Sequence, residues 1–174
     1  MSVAMGQADV MRHSLDSAAV RGLAQDCGLP GWMAEGARLW SFDPRGDWPG
    51  AMDIWEQCTL YAGNVHPMAG AELLPIKRNW LVLCGNYGTG KSHLAAGIVF
   101  DVALAGGCAA RFIPWVEHLD ALRDSFSDVR TPSGPLMDAL LKPYLVAIDD
   151  LDKEPGTDWS KKILFQYPQA DRDG

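Results

Sequence analysis

No part of the sequence approaches the ~18 uninterrupted apolar residues that a membrane-spanning helix needs, so the expectation is a soluble chain with no membrane partner. The first twenty residues carry Asp9 and Asp16 and lack a basic leader followed by an apolar block, so no signal peptide is read and the expected location is the cytoplasm. Cysteine is sparse. Cys27, Cys58, Cys84 and Cys108 lie far apart, with no CxxC pair, and read as reduced thiols, mostly core. His13, His66, His93 and His118 show no HxxxH spacing, so no metal site made only of side chains is implied. Basic residues are outnumbered, 15 Lys and Arg against 22 Asp and Glu, which excludes a surface that is basic throughout and leaves room only for a local basic stripe. Arg111, Arg123 and Arg130 are the candidates for such a stripe, although isolated arginines are usually solvated. No internal repeat is present.

A chain of 174 residues suits one core. Apolar spacing predicts a helix over 9–27, stopped at Gly28-Leu29-Pro30, and a second short helix over 33–39. The turn formers of 41–47 read as a linker, and Pro49 suits the first position of a helix running to Tyr61. Met52, Trp55 and Cys58 would share one face of that helix, and Gly63-Asn64 would end it. Residues 80–84, Trp-Leu-Val-Leu-Cys, form an apolar run of the length expected for a parallel strand buried on both faces. A helix over 92–105, a strand over 109–113, helices over 115–126 and 136–141, a strand over 144–148 and a helix over 157–166 complete the pattern. Strands alternating with helices argue for βαβ units in a mostly parallel sheet. Of the seven tryptophans, Trp55 and Trp80 fall within apolar patterns and read as core, while Trp40, Trp48 and Trp159 flank loops.

Gly85-Asn86-Tyr87-Gly88-Thr89-Gly90-Lys91-Ser92 fits GxxxxGK[ST]. Glycines allow a tight turn in which successive backbone N–H groups point inward and cradle phosphates, helped by the positive end of the helix that follows. The Lys91 ammonium would reach the β/γ oxygens, and the Ser92 hydroxyl would ligate a Mg²⁺ that bridges them. Further on, the apolar strand ending in Ile148 delivers Asp149 and Asp150 at its carboxyl end, a Walker B pattern. Ligands of open α/β sheets sit beyond the carboxyl ends of strands, so Asp149 and the glycine-rich loop should meet. Asp149 would hold Mg²⁺ through water, and Asp150 would polarise the attacking water. The candidate nucleotide-binding residues are thus Gly85 to Ser92 together with His93. Ser92 and Asp149 are on the metal side, and Lys91 and Asp150 are the catalytic candidates.

These residues carry a resemblance. Gly88-Thr89-Gly90-Lys91-Ser92-His93-Leu94-Ala95, then Phe112-Ile113-Pro114 with Leu119 and Leu122-Arg123, then Ile148-Asp149-Asp150-Leu151, resemble the AAA+ ATPases of the DnaC-type helicase loaders and IstB transposition helpers, from about Phe42 to Phe165. The resemblance implies a P-loop NTPase fold, a three-layer α/β/α parallel sheet, with an N-terminal helical or linker region over 1–41 and a partial AAA+ domain over 42–174. It implies ATP and Mg²⁺ as ligands. As partners it implies single-stranded DNA and a replicative helicase or transposase, with assembly into a homo-oligomer. Asp150 stands where many AAA+ members carry Glu, as is frequent in this subgroup. Tyr87 departs from the small or proline residue common in that turn, where only the backbone is needed.

The family pattern continues past the Asp149 strand with a fourth strand ending in a sensor residue, an arginine finger, a fifth strand and a helical lid, none of which is legible after Asp150. The expectation is therefore an AAA+ domain incomplete at its C-terminus, in which ATP binds and hydrolysis is impaired. Three functions compete: an ATP-hydrolysing loader or transposition helper, a nucleotide-binding module without turnover, and a P-loop kinase of small substrates. The third lacks any segment for a lid and substrate pocket.

Overall fold

The computed structural model describes residues 17–43, 50–65, 80–105, 109–127 and 133–166. In chain order the elements are α1 (Ser17–Asp26), α2 (Gly31–Ala34), a 3₁₀ turn (Leu39–Ser41), α3 (Ala51–Val65), α4 (Lys91–Leu104), β1 (Ala110–Pro114), α5 (Trp115–Ser127), α6 (Gly134–Leu141), β2 (Leu145–Asp149), a second 3₁₀ turn (Leu151–Lys153) and α7 (Asp158–Gln166).

β1 and β2 pair in parallel, with Ala110 opposite Leu145 and Pro114 opposite Asp149. Parallel neighbours need a crossover, and α5 and α6 supply it. Side chains alternate across the sheet: Ala110, Phe112, Leu145 and Ala147 join one apolar cluster, whereas Ile113, Val146 and Ile148 join another. The first cluster is built from α1 to α4, and the second from α5, α6 and α7 through Trp115, Leu119, Leu122, Leu140 and Ile163. Helices therefore cover both faces, which is why the strand residues read as continuous apolar runs rather than alternating ones.

Helix α4 is the centre of the first cluster. After Lys91, Ser92 and His93, Asp101 is its one charged side chain, and nine of its residues from Leu94 to Leu104 are buried. A helix apolar on nearly every side must be covered on every side, and α3, the 39–41 turn, α1, β1 and β2 do this. Contact with the turn is close enough that a β-carbon on Gly97 would stand 2.7 Å from the backbone nitrogen of Leu39. Arg38, 3% exposed, lies over the Phe100 ring at 3.6 Å and donates to the carbonyls of Ala37 at 2.9 Å and Ala34 at 2.5 Å. The N-terminal helices thus share the core with α4 and the sheet.

Several elements differ from the sequence reading. The helix expected over 33–39 is instead the single turn 31–34 after Pro30. Its continuation is broken where Arg38 adopts extended backbone (φ −133°) and its side chain takes the carbonyls a helix would use. Gly63-Asn64 do not end α3, which runs on to Val65 because Ala62 and Val65 are buried against the core. Met52 is exposed; the buried face of α3 is Ala51, Cys58, Ala62 and Val65, while Trp55 is half-buried and donates to the Leu39 carbonyl at 2.6 Å. The run over 80–84 is not a strand. Trp80 is 62% exposed and Val82 73%, and only Leu83 packs toward the core. Backbone amides become a strand when a neighbour completes their hydrogen bonds, and among the described residues the sheet has β1 and β2 alone. Trp80 therefore does not belong to the core. The stretches 1–16, 44–49, 66–79, 106–108, 128–132 and 167–174, with Pro49, Trp48, Cys108, Arg130 and the start of the expected first helix, lie outside the described residues. Cys27 and Cys58 are buried as expected, and Cys84 is exposed.

The close approach at Gly97 generates a paired prediction. Gly97→Ala gains helix propensity of about 1 kcal/mol but forces α4 away from the Leu39 backbone, a strain of about 1–3 kcal/mol. Net destabilisation is expected in urea denaturation. Gly63→Ala, in α3 with open space around it, gains the propensity alone and should be stabilised by roughly 0.5–1 kcal/mol. Equal shifts for the two variants would contradict the packing described.

Candidate functional site

The loop of residues 85–90 runs directly into α4, whose first residue is Lys91. Gly90 has φ 85°, in the left-handed region that glycine enters without cost, and a β-carbon there would also meet the Phe42 ring at 2.7 Å. The position is doubly closed to larger residues. Thr89 braces the loop through a hydrogen bond from its hydroxyl to the Asn86 carbonyl at 3.0 Å. Tyr87, at the tip, is 93% exposed.

Lys91 folds back over this loop, its Nζ donating to the carbonyls of Gly85 at 2.9 Å and Asn86 at 2.8 Å. Ser92 points the other way. Its hydroxyl donates to Oδ1 of Asp149, at the end of β2, at 2.9 Å across 57 residues of sequence. The loop, the start of α4 and the carboxyl end of β2 therefore converge, because α4 packs along β1 and β2. His93 is directed elsewhere: its Nε2 lies 2.8 Å from the Arg38 carbonyl and its ring meets Phe42 edge-on at 5.7 Å. A carbonyl can only accept, so Nε2 carries the hydrogen. The His93 side chain thus ties α4 to the 38–42 turn.

Asp150 follows in left-handed backbone (φ 57°, ψ 36°), a conformation that Asp tolerates better than most side chains. Its carbonyl accepts from the backbone N–H of Lys153 at 3.1 Å, and its Oδ2 lies 2.5 Å from the Lys153 ammonium. That pairing raises the Lys153 pKa above its ordinary value, with Asp149 and Tyr87 adding to the effect. The ammonium also sits 5.9 Å from the centroid of the Tyr87 ring. Lys153 was missed in the sequence, where its spacing of three residues from Asp150 was the available signal.

Glu154 was missed as well. Its side chain is 4% exposed and pairs with Arg123 at 2.9 Å, while Arg123 also holds Asp120 and lies 5.0 Å from the Trp159 ring. Hydrogen bonding from Ser160 foremost, then from the Gly156 N–H and Arg123, holds the Glu154 carboxyl below the usual carboxylate range. This cluster fixes the chain between Lys153 and α7. It also removes Arg123 from the candidate basic stripe, and Arg111 is bonded to the Asp26 carbonyl.

The Ser92 and Asp149 oxygens form a donor set that fits Mg²⁺, which takes one or two protein oxygens and completes its shell with phosphate and water rather than a protein cage. No group of three or more His, Cys, Asp or Glu side chains suited to a metal occurs among the described residues. No helix among them is long and apolar enough to cross a membrane.

Over 85 residues the chain is 29% identical to the replicative helicase loader DnaC of Escherichia coli K12, a match covering 49% of this chain and 34% of that protein. The same figures hold for the replicative helicase loader DnaC of Shigella flexneri. The chain spans about a third of the length of the curated relatives it matches. No family model matches it, and no solved structure does so significantly. The similarity supports a distant relationship to DnaC.

The Glu154 cluster has a pH signature. Because the folded state depresses this pKa, the stability it contributes is present above the ordinary carboxylate value of about 4.3 and is lost as pH falls through the depressed one. Glu154→Gln should be less stable than wild type at neutral pH, and should lose less on going from pH 7 to pH 3. Chemical-denaturation midpoints across that range provide the check, and parallel curves for the two proteins would be inconsistent with a buried, ionised Glu154.

Proposed function

We propose that the chain is an ATP·Mg²⁺-binding module of the AAA+ kind, working on a replicative helicase or on single-stranded DNA as part of helicase loading. The observation that carries the nucleotide reading is the 2.9 Å hydrogen bond from Ser92 to Asp149. A glycine-rich turn alone can be accidental, and two acids at a strand end can be a surface turn. Their meeting is what one phosphate–metal site requires. The replication reading rests on the similarity to DnaC, a replicative helicase loader.

In this reading the 85–90 backbone and the N-terminus of α4 receive the phosphates, since the helix end adds partial positive charge. Lys91 exchanges its bonds to the Gly85 and Asn86 carbonyls for phosphate oxygens, which gives shorter, charge-assisted bonds. Ser92 and Asp149 would hold Mg²⁺, which supplies neutralisation of charge on the phosphates. Asp150 orients water for attack and accepts its proton.

Lys91→Ala is expected to weaken Mg²⁺-dependent ATP binding by about 10- to 100-fold, the value of one or two charge-assisted hydrogen bonds. Titration with a fluorescent nucleotide measures it, and unchanged affinity would sink the assignment. The two acids should separate by role. Asp149→Asn loses the metal dependence of binding, whereas Asp150→Asn retains bound ATP and abolishes whatever phosphate release the wild-type chain shows. If both variants lost affinity alike, the division of labour between the acids would be wrong.

A further inference from the structure

Three charged groups around the loop are engaged by other parts of the same chain. Lys91 rests on the loop carbonyls, Asp149 accepts from Ser92, and Asp150 is held by Lys153. The third pair is the least protected, with Lys153 51% and Asp150 40% exposed. Water screens such a pair and leaves it weak. Yet the ammonium sits near the rim of the loop, 5.9 Å from the ring of Tyr87, and close enough to Asp149 to be influenced by its charge. Lys153 thus stands between the loop tip and the acid assigned to water activation.

We propose that Lys153 selects for the third phosphate of a nucleoside triphosphate. This deepens the nucleotide-binding reading above and rests on it. A terminal phosphate beside the loop carries more negative charge than a single carboxylate and presents three acceptor oxygens. Lys153 moves from Asp150 to that phosphate, and the move frees the Asp150 carboxylate to accept a hydrogen bond from water. With a diphosphate there is nothing to draw Lys153 away, and Asp150 stays occupied. One side chain then links the presence of the third phosphate to the availability of the acid that acts beside it. The short 3₁₀ turn of Leu151–Lys153 keeps the two groups on one local frame.

The test compares ATP and ADP, each with Mg²⁺, as competitors of a fluorescent nucleotide on the full chain. Lys153→Gln should lower the preference for ATP over ADP by about tenfold, the value of one charge-assisted hydrogen bond, and Lys153→Arg should keep most of it. A Lys153→Gln variant that weakens ATP and ADP equally, or changes neither, overturns the proposal. Lys91→Ala run alongside separates the two levels. Loss of both nucleotides in Lys91→Ala with an unchanged ratio in Lys153→Gln means that the Lys153 proposal fails alone. Full affinity in Lys91→Ala means that the loop reading itself fails.

Discussion

The burial of α4 is the constraint from which the rest of this structure follows. A helix carrying Leu94, Ile98, Val99, Phe100, Val102 and Leu104 around its circumference cannot leave any side in water, and burial of each such side chain contributes roughly 1.5–3 kcal/mol. The N-terminal helices are drawn onto it for that reason, down to the backbone contact at Gly97 and the guanidinium of Arg38 over Phe100. The same burial fixes where the helix begins. Because α4 lies along β1 and β2, its first turn is delivered to the carboxyl end of β2, and Ser92 reaches Asp149.

The site built at that point is internally saturated. Lysines rest on carbonyls and a carboxylate, and a serine rests on an aspartate, so Lys91, Asp149, Asp150 and Lys153 each have a partner. In the proposed reading, phosphate oxygens would replace neutral carbonyls at Lys91 and a carboxylate at Lys153, and Mg²⁺ would join the Ser92 and Asp149 oxygens. Such an exchange would cost less than creating new charged contacts in a dry cavity, where desolvation would oppose it. Helix packing positions the backbone, and exposed side chains remain free to change partners.

Much of this was legible in the residues themselves. α4, β1, α5, β2 and α7 lie within a residue or two of where periodicity puts them, because apolar runs of helix or strand length have one economical way to be buried. The meeting of the loop with Asp149 was legible for a different reason: the carboxyl end of a strand and the start of a helix lie at one edge of an open α/β arrangement, and Ser92 does reach Asp149. The run over 80–84 misled, since an apolar pentapeptide has strand propensity but strand formation needs a partner's amides and carbonyls. His93, next to the loop in sequence, directs its side chain to the Arg38 carbonyl and the Phe42 ring in space.

By itself, then, the sequence determined the helix and strand segments that are apolar and long, and the chemical identity of the groups at 85–92 and 149–150. Tertiary structure alone decided that Arg38 and Glu154 are buried with partners and that Trp80 is exposed, and it added a direct Ser92–Asp149 bond where the sequence had placed both on the metal side. Local propensity acts over a few residues and leaves a trace in the order of side chains. Contacts between residues far apart in the chain, such as those made by Ser92 and Arg38, depend on which faces pack together, and packing is settled only when all the apolar surfaces are buried at once.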